Sequence, residues 1–278
     1  MTIVVSVKVT DGVVLASDSA TTFSDKEGKP VKVYNNANKV FNLVKGYPIG
    51  AMTFGSGSVG TASIATLSKD LRRAFSTVGT DLYIDLEGEY TILEVATKAQ
   101  QFFRARFSEA YPDGTDGYYM GYRVIGYGSQ DTLAEGREIV VTNGSDEEPR
   151  LFYDLDGYGP RWAGDTEALN RMILGYGDQL LPALRTAGLE PENEDALMSH
   201  IRGHLHRQLY LPAMPIQDAI DLARFLAETA ARFSHFSMNA ATIGGPIEIA
   251  TITKHEGFKW VARKHYFTDI LNPGGNHV

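Results

Sequence analysis

Along this chain the apolar periodicity switches from two residues to a helical spacing and back again, and the order of those switches constrains the fold more than any other feature of the sequence. Residues 3–9 place Ile3, Val5, Val7 and Val9 at alternate positions with Ser6 and Lys8 between them, which predicts a strand with two unequal faces. The turn Thr10-Asp11-Gly12 leads into Val13-Val14-Leu15-Ala16-Ser17, so the chain opens on a hairpin that ends beside Asp18. Residues 39–43 and 49–54, joined through Lys45-Gly46-Tyr47-Pro48, predict a second hairpin running into Gly55-Ser56-Gly57-Ser58. Helical spacing follows over 59–75 and 90–111. A second strand block covers 118–128, 137–142 and 150–155, closed by the turn Asp156-Gly157-Tyr158-Gly159-Pro160. Helices are predicted again over 166–187, 193–209 and 216–233, the last after Pro212-Ala213-Met214-Pro215, and a strand pair, 247–253 and 258–262, ends the pattern around His255-Glu256-Gly257.

This succession predicts an α+β fold, a four-layer αββα sandwich in which two antiparallel sheets stack and helices cover both outer faces. The chain has 278 residues, of which 43% are hydrophobic and 22% charged, enough for one large core over residues 1–268. Residues 190–215 read as a helical insertion that shapes a substrate entrance or a subunit contact, and residues 269–278 as a flexible tail. The formal net charge of -8 is spread without a long basic run, which argues against nucleic acid or a membrane surface as a partner. There are no cysteines, so disulfides, thiolate catalysis and cysteine-ligated zinc are excluded. The N-terminus has neither the basic flank nor the apolar length of a signal peptide, which predicts a cytoplasmic protein.

Thr2 is small enough for methionine aminopeptidases to trim Met1, and trimming leaves a hydroxyl and a free α-amine on one residue. An α-amine titrates at about 7.7–8.0, close enough to neutrality to take a proton from a hydroxyl, so nucleophile and base share a residue. Taken alone, a threonine at position 2 is an ordinary start of a chain. Further on stand Asp18 within Ala16-Ser17-Asp18-Ser19, Lys39 within Asn38-Lys39-Val40-Phe41, and the turn Ser56-Gly57-Ser58.

With these motifs in this order the sequence resembles the proteasome β-subunit family and its bacterial relatives, over most of the chain. The resemblance implies an N-terminal-nucleophile fold and a threonine endopeptidase in which Thr2 attacks, Asp18 and Lys39 support it, and the Gly57 amide, or that of Gly55, stabilises the oxyanion. It implies no cofactor and no metal, a peptide or unfolded protein as substrate and a homo-oligomeric ring or barrel, and it admits an ATPase partner. The roles also make physical sense: a cationic Lys39 eases formation of an alkoxide and keeps the neighbouring amine unprotonated, while Asp18 holds the lysine charged. A backbone N–H aimed at a developing oxyanion contributes a few kcal/mol of transition-state stabilisation.

Two stretches depart from the family pattern. Where the family places a serine after a late strand block, this chain has Arg161-Trp162-Ala163-Gly164-Asp165, and Asp165 either takes the place of that serine or caps the following helix. Where the family places an aspartate and a serine before the last strands, this chain has Asn239-Ala240-Ala241-Thr242-Ile243-Gly244-Gly245-Pro246, leaving Thr242 or Ser237 to approach the amine. The same site would serve an acyl-transferring peptide ligase, and a chain that retains Met1 would be a silent structural subunit. His200 and His204 share a helix face with His206 nearby, a surface pattern more than a metal site without a third ligand. The glycine-rich turns at 55–60 and 126–129 lack the Gly-Lys-Ser/Thr of a nucleotide loop, and Tyr118, Tyr119, Tyr122 and Tyr127 read as sheet packing.

Overall fold

The computed structural model describes residues 2–24, 30–144, 147–238 and 242–264. Met1 and the expected tail over 269–278 therefore lie outside the described residues. In chain order the elements are β1 (Ile3–Val9), β2 (Gly12–Ser17), β3 (Thr21–Ser24), β4 (Pro30–Tyr34), β5 (Val40–Asn42), β6 (Ile49–Gly55), β7 (Ser58–Val59), β8 (Ala62–Ser63), α1 (Ile64–Phe75) and α2 (Ile92–Ala110). They continue with β9 (Tyr119–Gly126), β10 (Glu135–Thr142), β11 (Arg150–Tyr153), β12 (Gly159–Gly164), α3 (Glu167–Leu169), α4 (Leu180–Thr186), α5 (Glu194–Leu205), α6 (Ile216–Phe236), β13 (Glu248–Thr253) and β14 (Gly257–Ala262).

Two five-stranded antiparallel sheets organise the molecule, one in the order β12-β1-β2-β13-β14 and the other β11-β10-β9-β6-β5. Three apolar clusters arrange them. Ile3, Val5, Val7 and Val9 of β1 face Ala219, Ala223, Leu226 and Ala227 of α6. Val4, Val13 and Leu15 on the opposite face meet Met52, Phe54 and Ile125 of the second sheet. The outer face of that sheet, with Tyr122 and Val124, packs on Leu71 and Phe75 of α1 and Val95, Ala99 and Phe103 of α2. Contacts thus run helix on sheet, sheet on sheet, sheet on helix, with apolar burial as the main favourable term at each step.

The expectation of two unequal faces for β1 is corrected: all seven residues are buried. Both of its faces are covered, and the polar residues are satisfied internally. Lys8 donates to the Asp154 carbonyl at 2.6 Å and the Leu155 carbonyl at 2.8 Å, and the Ser6 carbonyl accepts from Tyr153 at 3.0 Å. The helix expected over 59–75 starts at Ile64, because 58–63 forms the small β7–β8 hairpin and Ser63 caps the helix by accepting from the Thr66 amide at 3.2 Å.

The β3–β4 hairpin and β12 were not expected. β12 reads Gly-Pro-Arg-Trp-Ala-Gly, which looks like a turn, yet it is an edge strand, where proline is tolerated. The helix expected over 166–187 is interrupted. After α3 the chain makes a π-helical turn at Asn170–Leu174, closed by Gly175 at φ 84°, and helix resumes only at Leu180. The 193–209 helix stops at Leu205, and the Arg207 amide leaves to bond the Ile173 carbonyl at 2.8 Å.

Candidate active site

Antiparallel register sets β1 between the edge strand β12 and β2 in the first sheet. Val4 stands opposite Ser17 of β2, and Ile3 opposite Gly164 of β12. The residues just past those strand ends, Asp18 and Asp165, therefore flank the segment that begins at Thr2. The Asp165 amide donates to the Thr2 carbonyl at 2.7 Å, and Thr2 is buried at 5% exposure. Gly164 has φ 98°, and an added Cβ there would lie 1.8 Å from the Thr2 carbonyl oxygen, so β12 can approach this closely only with glycine.

Asp18 is fully buried and its carboxylate accepts four hydrogen bonds from the described residues. Oδ1 takes the Ile3 amide at 3.1 Å and the Lys39 ammonium at 2.7 Å. Oδ2 takes the Ala20 amide at 3.0 Å and the Gly244 amide at 3.1 Å. Four donors on one ion offset much of its desolvation. Because Ile3 and Lys39 share one oxygen, the lysine head lies within two hydrogen-bond lengths of the amide that follows Thr2. Burial pushes the Lys39 ammonium below the ordinary lysine value, and the facing Asp18 opposes that shift.

Lys39 stands just before β5, anchored where the Thr53 amide donates to its carbonyl at 3.0 Å. Gly57 follows β6 in the turn before β7. An added Cβ there would meet the Thr21 hydroxyl at 3.0 Å, which sets the turn against the segment that leaves Asp18. Gly55 instead has φ 81° and presses on the Tyr119 carbonyl, so its glycine is a backbone requirement of the strand end.

No family model matches the sequence, and no curated protein matches it. Solved structures do. Anbu, an ancestral β-subunit, from Yersinia bercovieri superposes at TM-score 0.56 and 11% identity over 95% of this chain and 89% of that one. A helical assembly of the Anbu complex from Pseudomonas aeruginosa matches at TM-score 0.53 and 10% identity, covering 98% and 91%. Anbu from Hyphomicrobium sp. strain MC1 matches at TM-score 0.54 and 13% identity, covering 98% and 92%. The chain shares its fold with Anbu. The expected resemblance to proteasome β-subunits is corrected accordingly: Anbu is proteasome-like but a distinct family.

Within this Anbu-like fold the two departures noted in the sequence resolve differently. Asp165 touches the chain start through its amide while its carboxyl faces the Glu167 amide, and burial raises that carboxyl above the usual carboxylate value. Thr242 lies two residues before Gly244, and its buried hydroxyl has no partner among the described residues. Ser237 belongs to the C-terminus of α6, where its hydroxyl donates to the Phe233 carbonyl at 2.8 Å. Asn239, Ala240 and Ala241 lie outside the described residues.

Sequence reasoning missed two charged groups that the fold brings in. Glu248 opens β13 opposite Ser17, and Lys264, just past β14, pairs with it at 2.8 Å. A polar residue inside the apolar run Ile247-Glu248-Ile249-Ala250 was the available signal. A cleft of about 190 Å³ between β5 and α1 is lined by Asn38, Val40, Lys69, Arg72, Glu248 and Arg263, and Thr2, Asp18, Lys39 and Gly57 are not part of its lining. A wider depression of about 840 Å³ lies between β12 and α5, so the 190–215 segment borders it through Arg202 and His206. The His200 and His204 rings lie 4.3 Å apart between centroids at a tilt of 42°, and among the described residues no group of three metal-ligating side chains forms. Among the same residues no helix is long and apolar enough to cross a membrane.

Proposed function

We propose that the chain is a threonine-type peptidase that cleaves peptide bonds through Thr2 after Met1 has been removed. The observation that carries this reading is the buried Asp18–Lys39 pair, which shares an oxygen with the Ile3 amide at the start of β1. In the proposed reaction the Thr2 hydroxyl attacks the amide carbonyl and its proton passes to the Thr2 amine. That amine then protonates the departing amine as the C–N bond breaks, leaving an acyl ester on Thr2. Water attacks the ester, giving up a proton to the same amine, and the hydroxyl is restored. Lys39 stabilises the developing alkoxide, Asp18 keeps Lys39 oriented, and the Gly57 amide serves the oxyanion.

Self-association fits the exposed apolar stripe of Phe225, Phe233 and Phe236 on α6, with Met238 beyond it, and the helical assembly formed by the Anbu complex. Fluorogenic peptides that differ in charge, offered to the native-terminus protein and to Thr2→Ala and Thr2→Ser variants, provide the test. Turnover lost in Thr2→Ala and partly kept in Thr2→Ser supports the proposal, whereas turnover that survives Thr2→Ala removes it.

A further inference from the structure

A single ammonium ties together the two segments that present the Asp18–Lys39 pair. Lys264 donates to the Ser19 hydroxyl at 2.8 Å and to the Ala37 carbonyl at 2.7 Å, while pairing with Glu248 at 2.8 Å. Ser19 is the residue after Asp18, and Ala37 stands two before Lys39. Those segments are also joined directly, the Ala37 amide donating to the Ser19 carbonyl at 2.9 Å. Ser19 in turn reaches the 242–246 stretch, its hydroxyl donating to the Pro246 carbonyl at 2.6 Å and its amide to the Gly244 carbonyl at 2.9 Å. The Lys264 ammonium thus donates two hydrogen bonds and lies at ion-pair distance from Glu248. The side chains are 13% exposed for Lys264 and 1% for Glu248, so solvent screens this pair weakly.

Four alternating charges therefore lie together: Asp18 at the end of β2, Lys39 before β5, Lys264 after β14 and Glu248 at the start of β13. We infer that Lys264 and Glu248 are positioning residues of this site: Lys264 clamps the segments that carry Asp18 and Lys39, and the pair's opposed charges set how tightly Lys39 holds its proton. The catalytic side of this inference rests on the Thr2 reading above; the electrostatic side does not. A pair too distant or too screened to act on Lys39 would hold the same segments, and its removal would not shift Lys39 in opposite directions. The groups that act on Lys39 include Asp18, Glu248 and Lys264, and under the proposed function the Thr2 amine at the head of β1. Removing Lys264 takes away a like charge, so Lys39 should keep its proton to higher pH. Removing Glu248 takes away an opposite charge, so Lys39 should lose its proton at lower pH.

The test is a ¹³C NMR titration of the Lys39 ε-carbon in protein with labelled lysine, its resonance assigned by Lys39→Met, on a Thr2→Ala background so that no turnover is required. The expected result is a shift of about one pH unit upward in Lys264→Met and downward in Glu248→Gln, with partial cancellation in the double variant. Shifts in the same direction, or none, overturn the inference. If Lys264→Met does not fold, Glu248→Gln decides alone, because it keeps the side chain's shape and carries its own signed expectation. With Thr2 restored, the alkaline limb of kcat/KM should move in the same two directions, and Lys264→Arg should recover rate lost in Lys264→Met. Opposed NMR shifts in a protein that never turns over peptides would leave the electrostatic inference standing and remove the proposed function instead.

Discussion

Asp18 accepts from three backbone amides and one ammonium while fully buried. Its removal leaves Lys39 as an uncompensated buried charge and frees the amides of Ile3, Ala20 and Gly244 at once. Asp18→Ala is therefore expected to cost about 3–5 kcal/mol of stability, read from the midpoint of urea unfolding at unchanged slope. A loss under about 1 kcal/mol would mean that the pair behaves as a surface ion pair, contrary to its burial. Asp18 and Lys39 were singled out by the resemblance to proteasome β-subunits, and periodicity placed them only as residues beside strand ends. Glu248 and Lys264 were not, because what brings them to the site is long-range, Lys264 bonding Ser19 and Ala37 and Glu248 lying opposite Ser17, each more than two hundred residues away along the chain, and no local pattern reports such a contact.

At the scale of elements, the turn that follows β6 separates two glycines with different duties. Gly55→Ala should destabilise the protein, since φ is 81° and the new Cβ would lie 2.4 Å from the Tyr119 carbonyl oxygen. Gly57 has no such backbone demand. Gly57→Val should crowd Thr21 and lower kcat by about 100-fold while leaving the urea midpoint almost unchanged. If instead Gly57→Val turns over peptides normally, the oxyanion role moves away from this turn. The elements that periodicity captured, β1, β2, β6, α2 and α6, bury long continuous faces. Those it missed obey other rules: β12 is an edge strand that accepts Pro160, and the π turn at Asn170–Leu174 depends on Gly175 and on the packing of Leu205 against it. No period in a sequence announces either arrangement.

Across the whole molecule, both faces of the first sheet are covered, which drives even Lys8 into the interior. Burial lowers its pKa from 10.5 to about 8, against the attraction of Asp154. Between those two values the folded protein has released a proton that the unfolded chain still binds, so stability should rise with pH across that window. The gain due to Lys8 amounts to at most about 3 kcal/mol. Urea unfolding at pH 7.5 and pH 10 should show this rise in the wild type and a smaller one in Lys8→Met; equal slopes would mean that Lys8 is not desolvated. Assembly is the other property at this scale. Light scattering should find a mass well above 30.5 kDa, reduced in Phe236→Asp, and a monomer in both would remove the role given to the exposed face of α6.

The most direct test of the central claim, that Thr2 is a nucleophile supported by the buried Asp18–Lys39 pair, is an intact mass of the native-terminus protein before and after exposure to an epoxyketone or β-lactone. The account predicts a chain without Met1 that gains one adduct, with no adduct on Thr2→Ala. A chain that keeps Met1, or a trimmed chain that never labels, would contradict it and leave a structural subunit of Anbu-like fold.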